Sequence, residues 1–226
     1  MCGRFTLTAE ISELQKAFPG VEFPAQMAPR YNIAPTQPVA VIANQNPTQA
    51  DFFIWGLIPN WTKDPRISNR LTNARAETLI QKPAFRGAYR HHRCLILADG
   101  FYEWTQEGKT KIPYLIRLKS KMPFAFAGLW DRWQSPDGSE ILSCTIITTE
   151  ANETLKAIHS RMPVILSPSA YQAWLETPAE EVRRLDYLLQ PYPAAELEAF
   201  AVSSLVNNPN YDRIECLQPR EIRDVN

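Results

Sequence analysis

Cys2 changes its chemistry when Met1 is removed. Cysteine is small enough for methionine aminopeptidase to act before it. The product begins with an α-amine and a thiol on adjacent carbons. An α-amine has a pKa of ~7.7–8.0, whereas lysine sits near ~10.4. At neutral pH roughly a tenth to a sixth of such amines are uncharged, against less than about one lysine in a thousand. The uncharged form is the nucleophile, so this amine attacks an aldehyde without large tuning. The thiol then closes on the imine and gives a five-membered thiazolidine, a trap that serine would not hold as durably. Two other readings stand beside this one. Position alone favours an incidental cysteine near a chain end. An N-terminal-nucleophile amidohydrolase would use the thiol on an amide and the α-amine as base.

A trap of this kind needs proton donors and acceptors. Glu103 sits in ADGFYEW between Tyr102 and Trp104, inside an apolar run. A lone glutamate there is either a solvent-facing strand position or a buried functional acid. Asp99-Gly100 before it reads as a tight turn. His159 follows a short helical segment (ANETLKAIH) and precedes SRMPVIL, where a strand resumes. Such a residue caps or packs, or it moves protons, with an ordinary pKa near ~6.5. His91 and His92 lie in the basic stretch GAYRHHR and read as solvated surface. Asn73 and Arg75 lie in LTNARAET. Asn73 either caps a following helix or bonds a sugar or carbonyl, and Arg75 suits a phosphate. Trp61 in IWGLIPNW suits base stacking, whereas core packing accounts equally well for Trp55. Arg4, Arg75, Arg86 and Arg161 are the basic candidates for a backbone groove.

The elements that must position these residues are legible in outline. Thr8 to Phe18 puts Ile11, Leu14 and Phe18 on one helical stripe, with Thr8 as N-cap. Pro19 to Pro38 reads as a long irregular stretch. The runs VAVIA, DFFIWGL, RCLILADGFYEW, PYLIRL, FAFAGLW and ILSCTIITT are of strand length and mostly rich in β-branched or aromatic residues. FYEWTQ and KIPYLIRL, joined by EGKT, read as a hairpin. Ser167-Pro168 and Thr177-Pro178 each open a helix as N-cap and first helical residue. Strands and helices do not alternate, which argues against Rossmann and TIM folds. The expectation is α+β: a mostly antiparallel, barrel-like sheet core with peripheral helices, in one domain spanning 1–226.

Bulk properties are consistent with such a domain. The 226 residues are 45% hydrophobic and 21% charged, and Lys+Arg equals Asp+Glu at 24 each. No global field points to nucleic acid or membrane, although a local groove needs only a few Arg or Lys. No signal peptide or span of ~20 apolar residues is seen. Four cysteines match no metal or redox spacing. Cys94 and Cys144 read as buried strand residues, and Cys216 carries no chemical signal. No metal, cofactor or nucleotide fingerprint is expected. The chain is expected to be a soluble, cytoplasmic monomer, associated with the nucleoid when on DNA.

The pieces MCGRF, RYNIAPTQ, WGLIPNW, NARAET, ADGFYEW, AGLW, TTEAN, IHSRMP and VSSLVNNPNYD, in this order, resemble the SOS response-associated peptidase family, also called abasic-site processing proteins. Together they are very specific, although each alone is weak. The resemblance implies that Cys2 forms a thiazolidine with the ring-opened deoxyribose of an abasic site in single-stranded DNA. It implies that Glu103 assists proton transfers, that His159 promotes ring opening and imine formation, and that Asn73 orients the sugar. The expected DNA contacts are Arg4, Asn32, Trp61, Arg75, Arg86, Thr148 and Arg161. The smallest peptidase act implied is release of Met1, by the protein itself or by an aminopeptidase. A minor lyase activity would follow from the same imine.

Overall fold

The computed structural model describes residues 2–108 and 110–220. In chain order the elements are β1 (Arg4–Leu7), α1 (Ile11–Ala17), β2 (Arg30–Ile33), β3 (Pro38–Ala43), β4 (Ala50–Trp55), β5 (Asn73–Arg75) and α2 (Pro83–His91). There follow β6 (Arg93–Ala98), β7 (Gly100–Glu107), β8 (Thr110–Leu118), β9 (Phe124–Gln134), β10 (Glu140–Glu150), β11 (Arg161–Pro163), β12 (Ile165–Leu166), α3 (Tyr171–Glu176) and β13 (Leu197–Ala201). Short 3-10 turns link several of them, including Ala76–Thr78 and Ser204–Asn207.

The apolar runs build a barrel. β3 pairs β4 and β6, β6 pairs β9, β9 pairs β10, and β10 pairs β4, so the ring closes. Only the β4–β10 pairing in this ring is parallel. Closure removes the exposed edges of an open sheet. Helices lie around the sheets, and the fold is α+β. A second sheet runs in the order β13-β8-β7-β1-β2, antiparallel throughout. Phe5 of β1 docks this sheet on the barrel, meeting Trp55 and Phe126 edge-on at centroid distances of 5.1 and 5.7 Å. A fully buried phenylalanine contributes about 1.5–3 kcal/mol. It fixes the strand that carries the N-terminal residues.

The chain bends at Asp99. This is the crossing point from β6 in the barrel to β7 in the second sheet. The Asp99 carboxylate accepts from the Thr6 and Thr8 hydroxyls and from the Thr8 and Ala9 amides. Gly100 lies opposite Thr6, and a Cβ there would stand 2.9 Å from the Thr6 hydroxyl. Glycine therefore lets β1 and β7 approach along their register.

Several local expectations are corrected. Thr8 belongs to Asp99, and α1 is capped instead by Glu10 and Glu13 in a reciprocal capping box. The stretch from Pro19 to Pro38 contains β2, whose Tyr31 and Asn32 amides donate to the Asp212 carboxylate. Asn73 opens strand β5 rather than a helix. Thr177 ends α3, donating its hydroxyl to the Ala173 carbonyl, and Pro178 caps the next turn. Residues 153–158 form successive turns, with Leu155 and Lys156 amides donating to the Asn152 carbonyl, and no helix. The β7–β8 hairpin pairs Glu107 with Thr110, a tighter turn than EGKT suggests.

Buried Arg93 holds the helices to the barrel. Its guanidinium donates to the Tyr89 and Arg90 carbonyls at the end of α2 and to the Trp174 and Thr177 carbonyls at the end of α3. A cation thereby meets the negative ends of two helices. Among the described residues, no helix is long and apolar enough to cross a membrane.

Candidate active site

The two sheets each deliver half of a site. β1 pairs β7 with Arg4 opposite Tyr102, so Cys2, two residues earlier, arrives near Glu103. β10 extends beyond the barrel between two further strands. Its Thr148 lies opposite Arg75 of β5 on one side and Pro163 of β11 on the other. β5 carries Asn73, and β11 begins two residues after His159.

Asn73 joins the halves. Its side-chain amide donates to the Cys2 carbonyl at 2.8 Å. Its buried Oδ1 has no hydrogen-bond partner among the described residues. Cys2 is fully buried. Burial pushes its thiol far up, and the neighbouring Glu103 carboxylate pushes it further. The Cys2 thiol stays within 3.8 Å of the Arg4 carbonyl, to which it donates weakly.

Glu103 is 3% exposed, which resolves the open question of its facing. Burial raises its carboxyl above the ordinary range, and the charge of His159 opposes that rise. His159 is half-buried, at the end of the turn segment. Its Nδ1 accepts from the Arg161 amide at 3.0 Å and lies 3.1 Å from the Arg161 carbonyl oxygen. A neutral ring accepts from the N–H, and a protonated ring donates to the C=O. The ring is therefore held in either charge state, as a proton carrier requires.

Glu103 and His159 line one cleft of about 620 Å³ with Arg4, Trp104, Lys111 and Asn207. Asn207 accepts from the Trp104 indole at 2.7 Å. The carboxylate, the imidazole and two cations thus face a single space, beside a buried thiol. Proton transfer next to an amine or thiol is the chemistry such a set performs. Among the described residues, no cluster of His, Cys, Asp and Glu is built to hold a metal ion.

The seven residues expected to touch DNA are distributed differently. Arg4 lines the cleft, but its guanidinium already donates to Asn32 Oδ1 and to the Val206 carbonyl, both at 2.9 Å. Asn32 is fully buried and donates to the carbonyls of Val206, Asn208 and Tyr211. It clamps the segment 206–211 from inside the fold. Thr148 is likewise buried, with its hydroxyl on the Ala74 carbonyl. Arg161 makes a bidentate pair with Glu77 at 2.7 and 3.0 Å. Arg75 is exposed. Trp61, 58% exposed, and Arg86 line a separate cleft of about 560 Å³ with Arg90, His91 and His92. His92 leans on Trp130 and lies 3.4 Å from Asp131.

Glu77, Lys111 and Asn207 were not singled out from sequence. Glu77 ends NARAE and Asn207 lies in VSSLVNN, so the motifs contained them. What was missing was the pairing of Glu77 with Arg161 and of Asn207 with Trp104.

A family model described as SOS response associated peptidase matches residues 1–209. The abasic site processing protein YoqW of Bacillus subtilis (strain 168) is 45% identical over 222 residues, covering 96% of this chain and 99% of that protein. The abasic site processing protein HMCES of Gallus gallus is 34% identical over 227 residues, covering 86% and 67% respectively. A crystal structure of a protein from Bacteroides thetaiotaomicron superposes with a TM-score of 0.86 at 27% identity, covering 97% of this chain and all of that one. The chain belongs to the SOS response associated peptidase family.

Proposed function

We propose that this chain processes abasic sites in single-stranded DNA by bonding Cys2, once Met1 is gone, to the lesion's aldehyde. The observation that carries the reading is the convergence of Cys2 with a buried carboxyl, Glu103, and an imidazole, His159, that has a partner in both charge states. The names of the relatives, abasic site processing proteins, support the substrate.

The steps balance without an oxidant or reductant. The uncharged α-amine adds to C1′ of the ring-opened deoxyribose and forms a C–N bond. The carbonyl oxygen takes up the two protons that the nitrogen sheds and leaves as water, giving the imine. The thiol sulfur adds to the imine carbon, and the nitrogen takes the proton that sulfur loses. An aldehyde and an aminothiol become a thiazolidine and one water.

The amine goes first because burial keeps the thiol protonated, whereas an α-amine is partly uncharged at neutral pH. Glu103, with its raised carboxyl, accepts the amine proton and returns one to the departing oxygen. His159 assists ring opening by moving the sugar's hydroxyl proton. Asn73 fixes the Cys2 backbone and offers Oδ1 to a sugar hydroxyl. Before thiol closure the same imine permits β-elimination of the 3′ phosphate, a minor lyase path. Met1 leaves by the protein's own action or by an aminopeptidase. The exposed Trp61, with Arg75 and Arg86, suits stacking and phosphate contact with an unpaired strand. The protein acts as a monomer.

The test is a denaturing gel of protein with single-stranded DNA bearing an abasic site or its tetrahydrofuran analogue. A shifted band with the first and none with the second is expected. Peptide turnover without any DNA adduct would favour an N-terminal-nucleophile amidohydrolase and overturn the proposal.

A further inference from the structure

Glu77 lies outside the cleft that holds Glu103 and His159, yet it is tied to it. It sits in the Ala76–Thr78 turn that follows β5, the strand of Asn73. Both of its carboxylate oxygens accept from the Arg161 guanidinium, Oε1 from Nη1 at 2.7 Å and Oε2 from Nη2 at 3.0 Å. The same Nη2 donates to the Thr148 carbonyl at 2.7 Å. Arg161 is thus pinned at its side chain between the turn and β10. Its backbone N–H and C=O are the two groups that bracket His159 Nδ1. The segment Asn73–Glu77 therefore reaches both halves of the site. Its first residue holds the Cys2 carbonyl, and its last holds the residue that holds His159.

We infer that Glu77 is a positioning residue for His159, acting through Arg161. The fork-to-fork geometry matters because it fixes the guanidinium plane, which a single bond would leave to rotate. The Arg161 side chain is 17% exposed, so this pair is screened less than a fully solvated one. When Glu77 is lost, the guanidinium keeps its Thr148 contact and gains freedom about it. The short strand β11, paired with β10 over Arg161–Pro163, loses its anchor at the Arg161 end. The imidazole loses its fixed register against the Arg161 amide. This positioning role rests on the proposed use of His159 in aldehyde capture only for its effect on rate.

The experiment follows the His159 ring directly and the reaction separately. Imidazole 15N spectra of the full chain are recorded across pH for wild type, Glu77→Gln and Glu77→Ala. Crosslinking rates with abasic single-stranded DNA are measured over the same pH range, with His159→Ala as reference. Wild type should show one neutral tautomer, with the proton on Nε2. Glu77→Ala should show a mixture, with crosslinking slowed about tenfold and its pH profile displaced. Glu77→Gln, which keeps the shape and one good acceptor, should recover part of both. Unchanged His159 signals in both variants would overturn the inference, even if melting temperature falls. Altered signals with an unaltered rate would uphold the positioning role and sink the use of His159 in the reaction.

Discussion

The Asn73 amide donates to the Cys2 carbonyl over 2.8 Å, and this one bond spans the junction of the two sheets. It links β5, held on the barrel strand β10, to the second residue before β1. Asn73→Leu should therefore release the Cys2 backbone with little effect on the barrel. The net stability loss is expected near 1 kcal/mol. The crosslinking rate should fall by about a hundredfold, because reacting atoms lose their register. Asn73→Asp should be worse than Asn73→Leu, since a carboxylate repels the carbonyl it faces. Parallel urea unfolding and crosslinking time courses check the separation.

Glu103→Gln should stabilise the folded chain while slowing the reaction. Burial raises the Glu103 carboxyl, so the folded state holds its proton more tightly than the unfolded state. The unfolded chain releases that proton first as pH rises. Wild-type stability then falls as pH climbs from the ordinary carboxylate range through the raised value. Glutamine has no proton to lose there. The melting temperature of Glu103→Gln should gain on wild type across that window, scanned from about pH 4 to about pH 8. A gap that stays constant with pH would contradict the burial argument.

Asn32 tests structure against DNA contact. Its side chain serves Arg4 and the carbonyls of Val206, Asn208 and Tyr211. Asn32→Ala leaves these groups without it, and unfolding stability should drop by at least about 2 kcal/mol. The salt dependence of DNA binding should keep its slope, because no phosphate contact is removed. Arg75→Ala, at an exposed position, should do the reverse. It should leave stability nearly unchanged and reduce the slope by about one phosphate contact.

Much of the barrel was readable because its strands are buried on both faces. β6 and most of β9 are continuously buried, and such runs stand out as apolar. β2 was hidden because its chemistry is supplied from elsewhere. RYNI is polar, and the Asp212 carboxylate holds two of its amides from the far end of the chain. Thr8 looked like a cap because it was judged against its neighbours, whereas it bonds to Asp99. In the site, Cys2 was singled out by chain position and amine chemistry. Its partners came from ordered motifs. Glu77 was overlooked because an exposed glutamate in a loop carries no signal until Arg161 is seen across from it.

The central claim is that Cys2, freed of Met1, bonds to the aldehyde of an abasic site. Intact mass of the purified protein, before and after mixing with abasic single-stranded DNA, tests it most directly. The account predicts a species equal to the chain without Met1 plus the DNA strand less one water, formed by wild type and absent in Cys2→Ala. An equal yield of the same adduct from Cys2→Ala, or an adduct that retains Met1, would contradict it.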